Sequence, residues 1–250
     1  MRPIAIMAAM QEEMVGLTSA LQGAHTRHLG SRQFTTGTLH GQPVVLVLSR
    51  IGKVAAATTA TALIERFDVC EIVFTGVAGG LATGVNVGDM VVASEFIQHD
   101  MDASPLFAPL EVPLYGRAVF QTDPDLTQSL KLAAQGILNN PSQWIGIDTL
   151  HALHVQSPKV HSGLVLSGDR FVSTSSESQA LQQRLPLAMA VEMEGAAVAQ
   201  VCHDYDIPFA AARTISDRAD DAATTDFSRF IQEVASRYTF ALISTWMANR

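Results

Sequence analysis

The sequence predicts an α/β fold, a mixed sheet covered by helices on both faces. Three observations carry this. Apolar runs of strand length alternate with segments of helical periodicity along most of the 250 residues. Several runs end in glycines or acids, where an open α/β sheet binds its ligand. Hydrophobic content is 48% against 16% charged, enough for a well-filled core, and no linker, low-complexity segment or internal repeat divides the chain. Residues 1–250 are therefore expected to form one domain.

Residues 3–9 read as a buried strand. Glu12 and Glu13, with Met14, Leu17 and Leu21, predict a helix with acids in its first turn. Gln33–Leu39 and Pro43–Ser49, joined through His40-Gly41, predict a hairpin. An Ala/Thr-rich helix runs from Gly52 to near Phe67. Glu71–Phe74 is a short strand, then Thr75-Gly76-Val77-Ala78-Gly79-Gly80 follows. Gly88–Phe96 is a strand, and residues 100–122, with Pro105, Pro109 and Pro113, are expected to be a long loop. Leu126–Leu138 is helical by spacing and is broken at Asn139-Asn140-Pro141-Ser142. Trp144 to Lys159 reads as a hairpin or a surface excursion. Val160–Ser167 is a strand, Ser176–Leu185 a helix, Leu187–Met193 a strand and Ala196–Tyr205 a helix. Pro208–Ile215 is a strand and Phe227–Met247 a final amphipathic helix.

The chain has 24 acidic and 16 basic residues, a net charge of −8. That argues against a nucleic-acid groove, which needs a positive field. Cys70 and Cys202, the two cysteines, lie in apolar stretches outside any metal spacing and read as buried free thiols of a reducing compartment. The apolar N-terminus is cut off by Gln11-Glu12-Glu13, too soon for a membrane span or a signal peptide. A cytoplasmic protein is expected.

Val191-Glu192-Met193-Glu194 places two carboxylates at the end of an apolar strand, a ligand-facing pair or the solvated start of a helix. The glycine run 75–80 is neither GxGxxG nor a P-loop, and serves a tight turn or a close backbone approach to ligand. In Ser167-Gly168-Asp169-Arg170-Phe171-Val172, Phe171 is a core aromatic or a surface for a planar ring. Arg213-Thr214-Ile215-Ser216-Asp217 offers an Arg–Asp pair or a projecting acid. Of Glu12 and Glu13, one can serve the helix macrodipole and the other face a site. His151 with His154, His99 with Asp100 and Asp102, and His203 lack a completed metal set.

The order of these pieces resembles the nucleoside phosphorylase superfamily. In sequence they are Ala9-Met10-Gln11-Glu12-Glu13-Met14, Ser49-Arg50-Ile51-Gly52-Lys53, Thr75 to Gly80, Val87-Gly88-Asp89, Ser167 to Phe171, Val191 to Glu194 and Ile215-Ser216-Asp217. Within the superfamily the chain is similar to the 5′-methylthioadenosine/S-adenosylhomocysteine nucleosidases. The resemblance implies a mixed, barrel-like sheet flanked by helices, a homodimer, a nucleoside substrate, and no metal or organic cofactor. It implies hydrolysis of an N-glycosidic bond with release of adenine. Asp217, protonated, would donate to adenine N7, a task that needs a raised carboxyl pKa. Glu13 would activate water, the two-carboxylate logic of inverting glycoside hydrolysis. Glu194 would hold the ribose hydroxyls and support the developing cation. Met193 would pack on the sugar and Phe171 on adenine, whose edge the Val172 backbone would read. Ser216 and Arg213 would orient Asp217 and the water. Ala78 and Gly79 would line the base pocket, and Met10 belongs to the same substrate-binding set.

Three positions depart from the family pattern. Val77 stands where Ser or Thr is common. Arg50 replaces a glycine and could bind phosphate or a carboxylate. The loop Asp102-Ala103-Ser104-Pro105-Leu106-Phe107-Ala108 lacks the two aromatics of the alkylthio pocket. Two rival functions follow: a phosphorylase of the same fold, favoured by Arg50 alone, and a non-catalytic nucleoside-binding protein.

Overall fold

The computed structural model describes residues 1–250 apart from His154 and Gln156, and omits the side chains of Thr225, Asp226 and Arg229. Of His151 and His154, read as an incomplete metal set, His154 therefore lies outside the described residues.

One ten-stranded sheet organises the chain. Its strands are β1 (Ile4–Ala8), β2 (Gln22–Leu29), β3 (Arg32–Leu39), β4 (Gln42–Leu48), β5 (Glu71–Gly80), β6 (Met90–Gln98), β7 (Val119–Gln121), β8 (Val160–Ser167), β9 (Ala188–Glu192) and β10 (Phe209–Asp217). The order is β10-β6-β8-β9-β5-β1-β4-β3-β2, and β10 also pairs with β5. That extra pairing closes β5, β10, β6, β8 and β9 into a barrel, as the resemblance implied. β1 lies parallel to both β4 and β5, β5 is parallel to β10, and β9 is antiparallel to β5.

Both faces of the sheet are covered. The helices are α1 (Val15–Ala20), α2 (Lys53–Phe67), α3 (Pro124–Leu138), α4 (Ser142–Ile145), α5 (Ile147–Ala152), α6 (Ser175–Arg184), α7 (Gly195–Asp204), α8 (Ala223–Phe230) and α9 (Ser236–Ala248). Successive residues of a strand point to opposite faces. In β1, Ile4, Ile6 and Ala8 accordingly pack in the core shared with α3 and α9, while Ala5 and Met7 join the core under α2 and α7. Both faces of β1 are therefore apolar, which is why it reads as an unbroken apolar run. Asp123 caps α3 by accepting from the Leu126 N–H at 2.8 Å, with Pro124 at the first helical position.

Four expectations need correction. β2 was not foreseen: it is an edge strand, exposed along nearly its whole length, so no apolar alternation marks it. Trp144–Lys159 is no hairpin or loose excursion. It supplies α4 and α5, and Ile145, Leu150 and Val155 enter the core. The last helical stretch starts at Ala223 and is interrupted by a π-helical turn at Ile231–Ala235 before α9. Glu71–Phe74 is only the start of β5, which continues through the glycine run to Gly80. The run is therefore strand, where glycines permit close approach and bending, and not a tight turn. Cys202 is buried as expected, whereas Cys70 is half-buried; both are free thiols.

Candidate active site

A cleft forms where several strand ends meet. It is lined by Ala9 and Met10 after β1, Ile51 after β4, Val77 to Gly79 in β5, and Arg170 to Val172 after β8. Val191 to Glu194 at the end of β9, Ser216 and Asp217 of β10, and Phe227 of α8 complete it. The free space is about 610 Å³, open solvent at the mouth included. Of the eleven residues the sequence nominated, ten line this cleft; Arg213 does not.

Glu13 sits in a 3₁₀ turn (Gln11–Glu13) directly after β1 and is 2% exposed. Its Oε2 accepts from the N–H groups of Ala9 (2.9 Å) and Met10 (2.8 Å), and its Oε1 from Val77 N–H (3.1 Å). Burial pushes its pKa up to about 6, against the opposing pull of the Met10 N–H and the nearby Arg213 charge. Glu13 is thus a carboxylate with a near-neutral pKa, as a general base requires. Val77 keeps its part in this arrangement through its backbone, whatever its side chain.

Asp217 ends β10, paired in register with Gly79 of β5, and is 1% exposed. Its Oδ2 accepts from Ser216 Oγ at 2.8 Å and its Oδ1 from Ala219 N–H at 2.8 Å. Ser216 thus holds one carboxylate oxygen of its neighbour Asp217.

Glu194 immediately precedes α7, and its carboxylate accepts from Gly52 N–H at 2.8 Å, a bond that ties the end of β9 to the start of α2. Burial, reinforced by the neighbouring Glu192 carboxylate, drives its pKa well above the ordinary carboxylate range. Glu192 is differently placed. It accepts from Ser167 Oγ, from Gly195 N–H at 2.9 Å, and from Arg213 Nη2 at 2.8 Å. Arg213 was expected to orient Asp217 and water. Its guanidinium instead grips Glu192, donates to the Phe74 carbonyl at 2.9 Å and lies 4.2 Å from the Phe74 ring centroid. The physical reason is the length of the strand: at about 3.3 Å of rise per residue, Arg213 lies roughly 13 Å before Asp217 along β10. Arg213 supports the site by neutralising Glu192. Breaking this buried pair with Arg213→Met is expected to lower unfolding free energy by about 3–5 kcal/mol, read from urea denaturation. A loss under 1 kcal/mol would contradict the pairing.

The glycines of β5 have a purpose the sequence did not disclose. A Cβ on Gly76 would lie 2.8 Å from Glu13 Oε1, and one on Gly79 2.9 Å from Asp217 Oδ1. Each glycine clears room for one carboxylate. Gly76→Ala and Gly79→Ala are each expected to lower kcat about 100-fold, since misplacing a reacting group by about 1 Å has that effect. Unchanged kcat in both would remove the packing argument.

Phe171 is 41% exposed at the cleft rim, and its ring meets Phe227 edge-on at 5.5 Å. Val172 is buried beside it. Ala9, Ile51, Val77, Arg170, Val191, Glu192 and Phe227 also line the cleft and were not among the nominated residues. Phe227 reads as an ordinary apolar helix position, and nothing in its spacing marks it. Arg50 does not line this cleft; it donates to the Ser31 carbonyl on the neighbouring hairpin. Lys53 links the surroundings, bonding Asp100 at 2.6 Å and Gln98 at 3.1 Å. Among the described residues no group of three His, Cys, Asp or Glu could hold a metal.

Comparison with known proteins gives one answer. The family model of the phosphorylase superfamily matches residues 3–245. The 5′-methylthioadenosine/S-adenosylhomocysteine nucleosidase of Anoxybacillus flavithermus is 35% identical over 93% of this chain and 92% of its own length. The crystal structure of the nucleosidase of that name from Neisseria meningitidis, in complex with methylthio-immucillin-A, superposes with a TM-score of 0.87 at 31% identity, covering 100% of both chains. A futalosine hydrolase mutant of Helicobacter pylori strain 26695 is also similar, with a TM-score of 0.82 at 29% identity over 98% of each chain. The closed barrel, the carboxylates held around one cleft and these likenesses agree: the chain belongs to the phosphorylase superfamily and, within it, to the 5′-methylthioadenosine/S-adenosylhomocysteine nucleosidase family.

Proposed function

We propose that the protein hydrolyses the N-glycosidic bond of 5′-methylthioadenosine, S-adenosylhomocysteine or both, releasing adenine and a thioribose product. The observation that carries this is the pair of buried carboxylates, Glu13 and Asp217, supplied to one cleft from different strands. Breaking the bond builds negative charge on the base and positive charge on the sugar. Asp217, oriented by Ser216, protonates adenine N7 and makes it a leaving group. Glu13 takes a proton from the attacking water. Glu194 accepts hydrogen bonds from the ribose hydroxyls. Met193 and Met10 pack at the sugar, Phe171 stacks on the base, the Val172 backbone reads the base edge, and Ala78 and Gly79 form the wall behind it. The apolar faces of Phe227 and Ile51 suit a thioalkyl 5′-substituent.

A phosphorylase would need a cation for its phosphate inside the cleft. Arg50, the residue in its favour, is turned away to Ser31, Arg170 at the cleft wall is paired with Glu177, and the carboxylates repel an anion. The deciding assay follows adenine release from methylthioadenosine in phosphate-free buffer. Full activity is expected there, and strict dependence on added phosphate overturns the proposal.

The same reading takes residues 1–250 as one domain of a cytoplasmic homodimer. Ile51 and Val54, 57% and 78% exposed at the start of α2, leave apolar surface beside the cleft for a second copy to cover. Light scattering of the purified protein is expected to give twice the chain mass, and a monomer at micromolar concentration argues against the dimer. Among the described residues no helix is long and apolar enough to cross a membrane.

A further inference from the structure

A second cavity lies beside the first. Ala9 is the residue that lines both among those described. The second one is walled by β3, β4, the turn before β3 and the residues around Gln11, and holds about 950 Å³ of free space including its mouth. His28, Arg32 and Arg50 line it together with Gln33 and Thr35, and among the described residues no Asp or Glu does. In a chain of net charge −8 such a wall is unusual.

The two arginines are poorly compensated. Arg32 Nη2 donates to the Ala55 carbonyl at 3.0 Å, but its buried Nε has no hydrogen-bond partner. Arg50 donates to the Ser31 carbonyl. Among the described residues neither forms an ion pair. Burial and then the charge of Arg50 lower the pKa of Arg32. Arg50 also holds a backbone φ of 66°, a left-handed conformation strained for any residue but glycine. Two guanidinium groups brought together without an acid, one with an unmet buried N–H, match the recognition of a planar or tetrahedral oxyanion.

We propose that this cavity is a second ligand site, for an oxyanion of the phosphate class, free or as the ester of a small polar molecule. The free space exceeds what a bare anion fills, so an organic portion fits. The anion is not a nucleophile for the reaction proposed above, because Arg32 and Arg50 stand outside the cleft that holds Glu13 and Asp217. The inference is independent of the hydrolase reading.

The test is isothermal titration of the full chain at low ionic strength, where such contacts are least screened. Inorganic phosphate and ribose 5-phosphate are the probes, with sodium chloride at matched ionic strength as control. Both probes are expected to bind the unaltered protein, and each of Arg32→Gln and Arg50→Gly to weaken binding roughly tenfold or more. Arg50→Gly places glycine at a left-handed position, so its Tm without ligand should not fall; this separates lost binding from lost folding. Tighter binding of ribose 5-phosphate assigns an ester, and equal binding a free anion. Saturating adenine should not displace either probe. Absence of binding, binding retained in both variants, heat reproduced by chloride, or displacement by adenine each overturns the proposal. Phosphate-independent adenine release, measured separately, reports on the hydrolase reading alone.

Discussion

Asp217→Asn is expected to lower kcat for adenine release by about 10³-fold, within the range of 10²–10⁴ that a positioned general acid contributes, while adenine binding changes little. The substitution keeps the shape, and its carbonyl oxygen can still accept from Ala219 N–H. What it removes is the transferable proton. Without it adenine must leave as an anion, which the cleft has few cations to stabilise. Single-turnover kinetics together with titration of adenine separate the two effects. A kcat within tenfold of the unaltered protein, or binding lost in parallel with turnover, would falsify the general-acid role.

Glu13→Gln is the second large effect. Removing a general base is expected to lower kcat by about 10²–10⁴-fold. The pH dependence is the sharper reading. A base acts only when ionised, so kcat/KM of the unaltered protein should fall as pH drops through about 6, the value to which burial raises Glu13, and the variant should lack that limb. Stability runs in the opposite sense. Because the folded-state pKa lies above the ordinary 4.5, the fold favours the protonated form. That contribution is fully present below pH 4.5 and is lost as pH rises through about 6. It amounts to about 2 kcal/mol, at 1.36 kcal/mol per pKa unit. Gln also sets an amide NH₂ against at least one of the three backbone N–H donors, a penalty that does not change with pH. The difference in unfolding free energy between variant and parent should therefore grow by about 2 kcal/mol in favour of Gln from pH 4.5 to 7.5. A flat difference in paired denaturant titrations would show that Glu13 is not strained by its burial.

Much of the fold was legible because it is local. β1, most of β4, and β10 are buried on both faces and stand out as strands, and α3 announces itself by the apolar spacing of Leu126–Leu138. β2 was invisible because an exposed edge strand carries no period-two signal. The barrel was legible only through the resemblance, since the β5–β10 pairing joins residues far apart in sequence. Glycine is a poor strand former taken alone, so the sequence marks only the start of β5; in the fold glycine is required by side chains that come from elsewhere.

By itself the sequence determined the alternation of strands and helices, the order of the motifs, and the set of acids from which the site is drawn. Composition and hydrophobic period fix these, and both are written along the chain. The tertiary structure decided what surrounds each acid. Glu192 and Glu194 are two residues apart and both line the cleft, yet one is neutralised by Arg213 and the other is held by the Gly52 N–H. Gly76 and Gly79 look alike, yet one makes room for Glu13 and the other for Asp217. Arg50 belongs to the motif beside the cleft but turns out of it. Desolvation, ion pairing and close packing depend on neighbours brought together by the closed sheet, and those neighbours are set by pairing across the barrel, not by position along the chain.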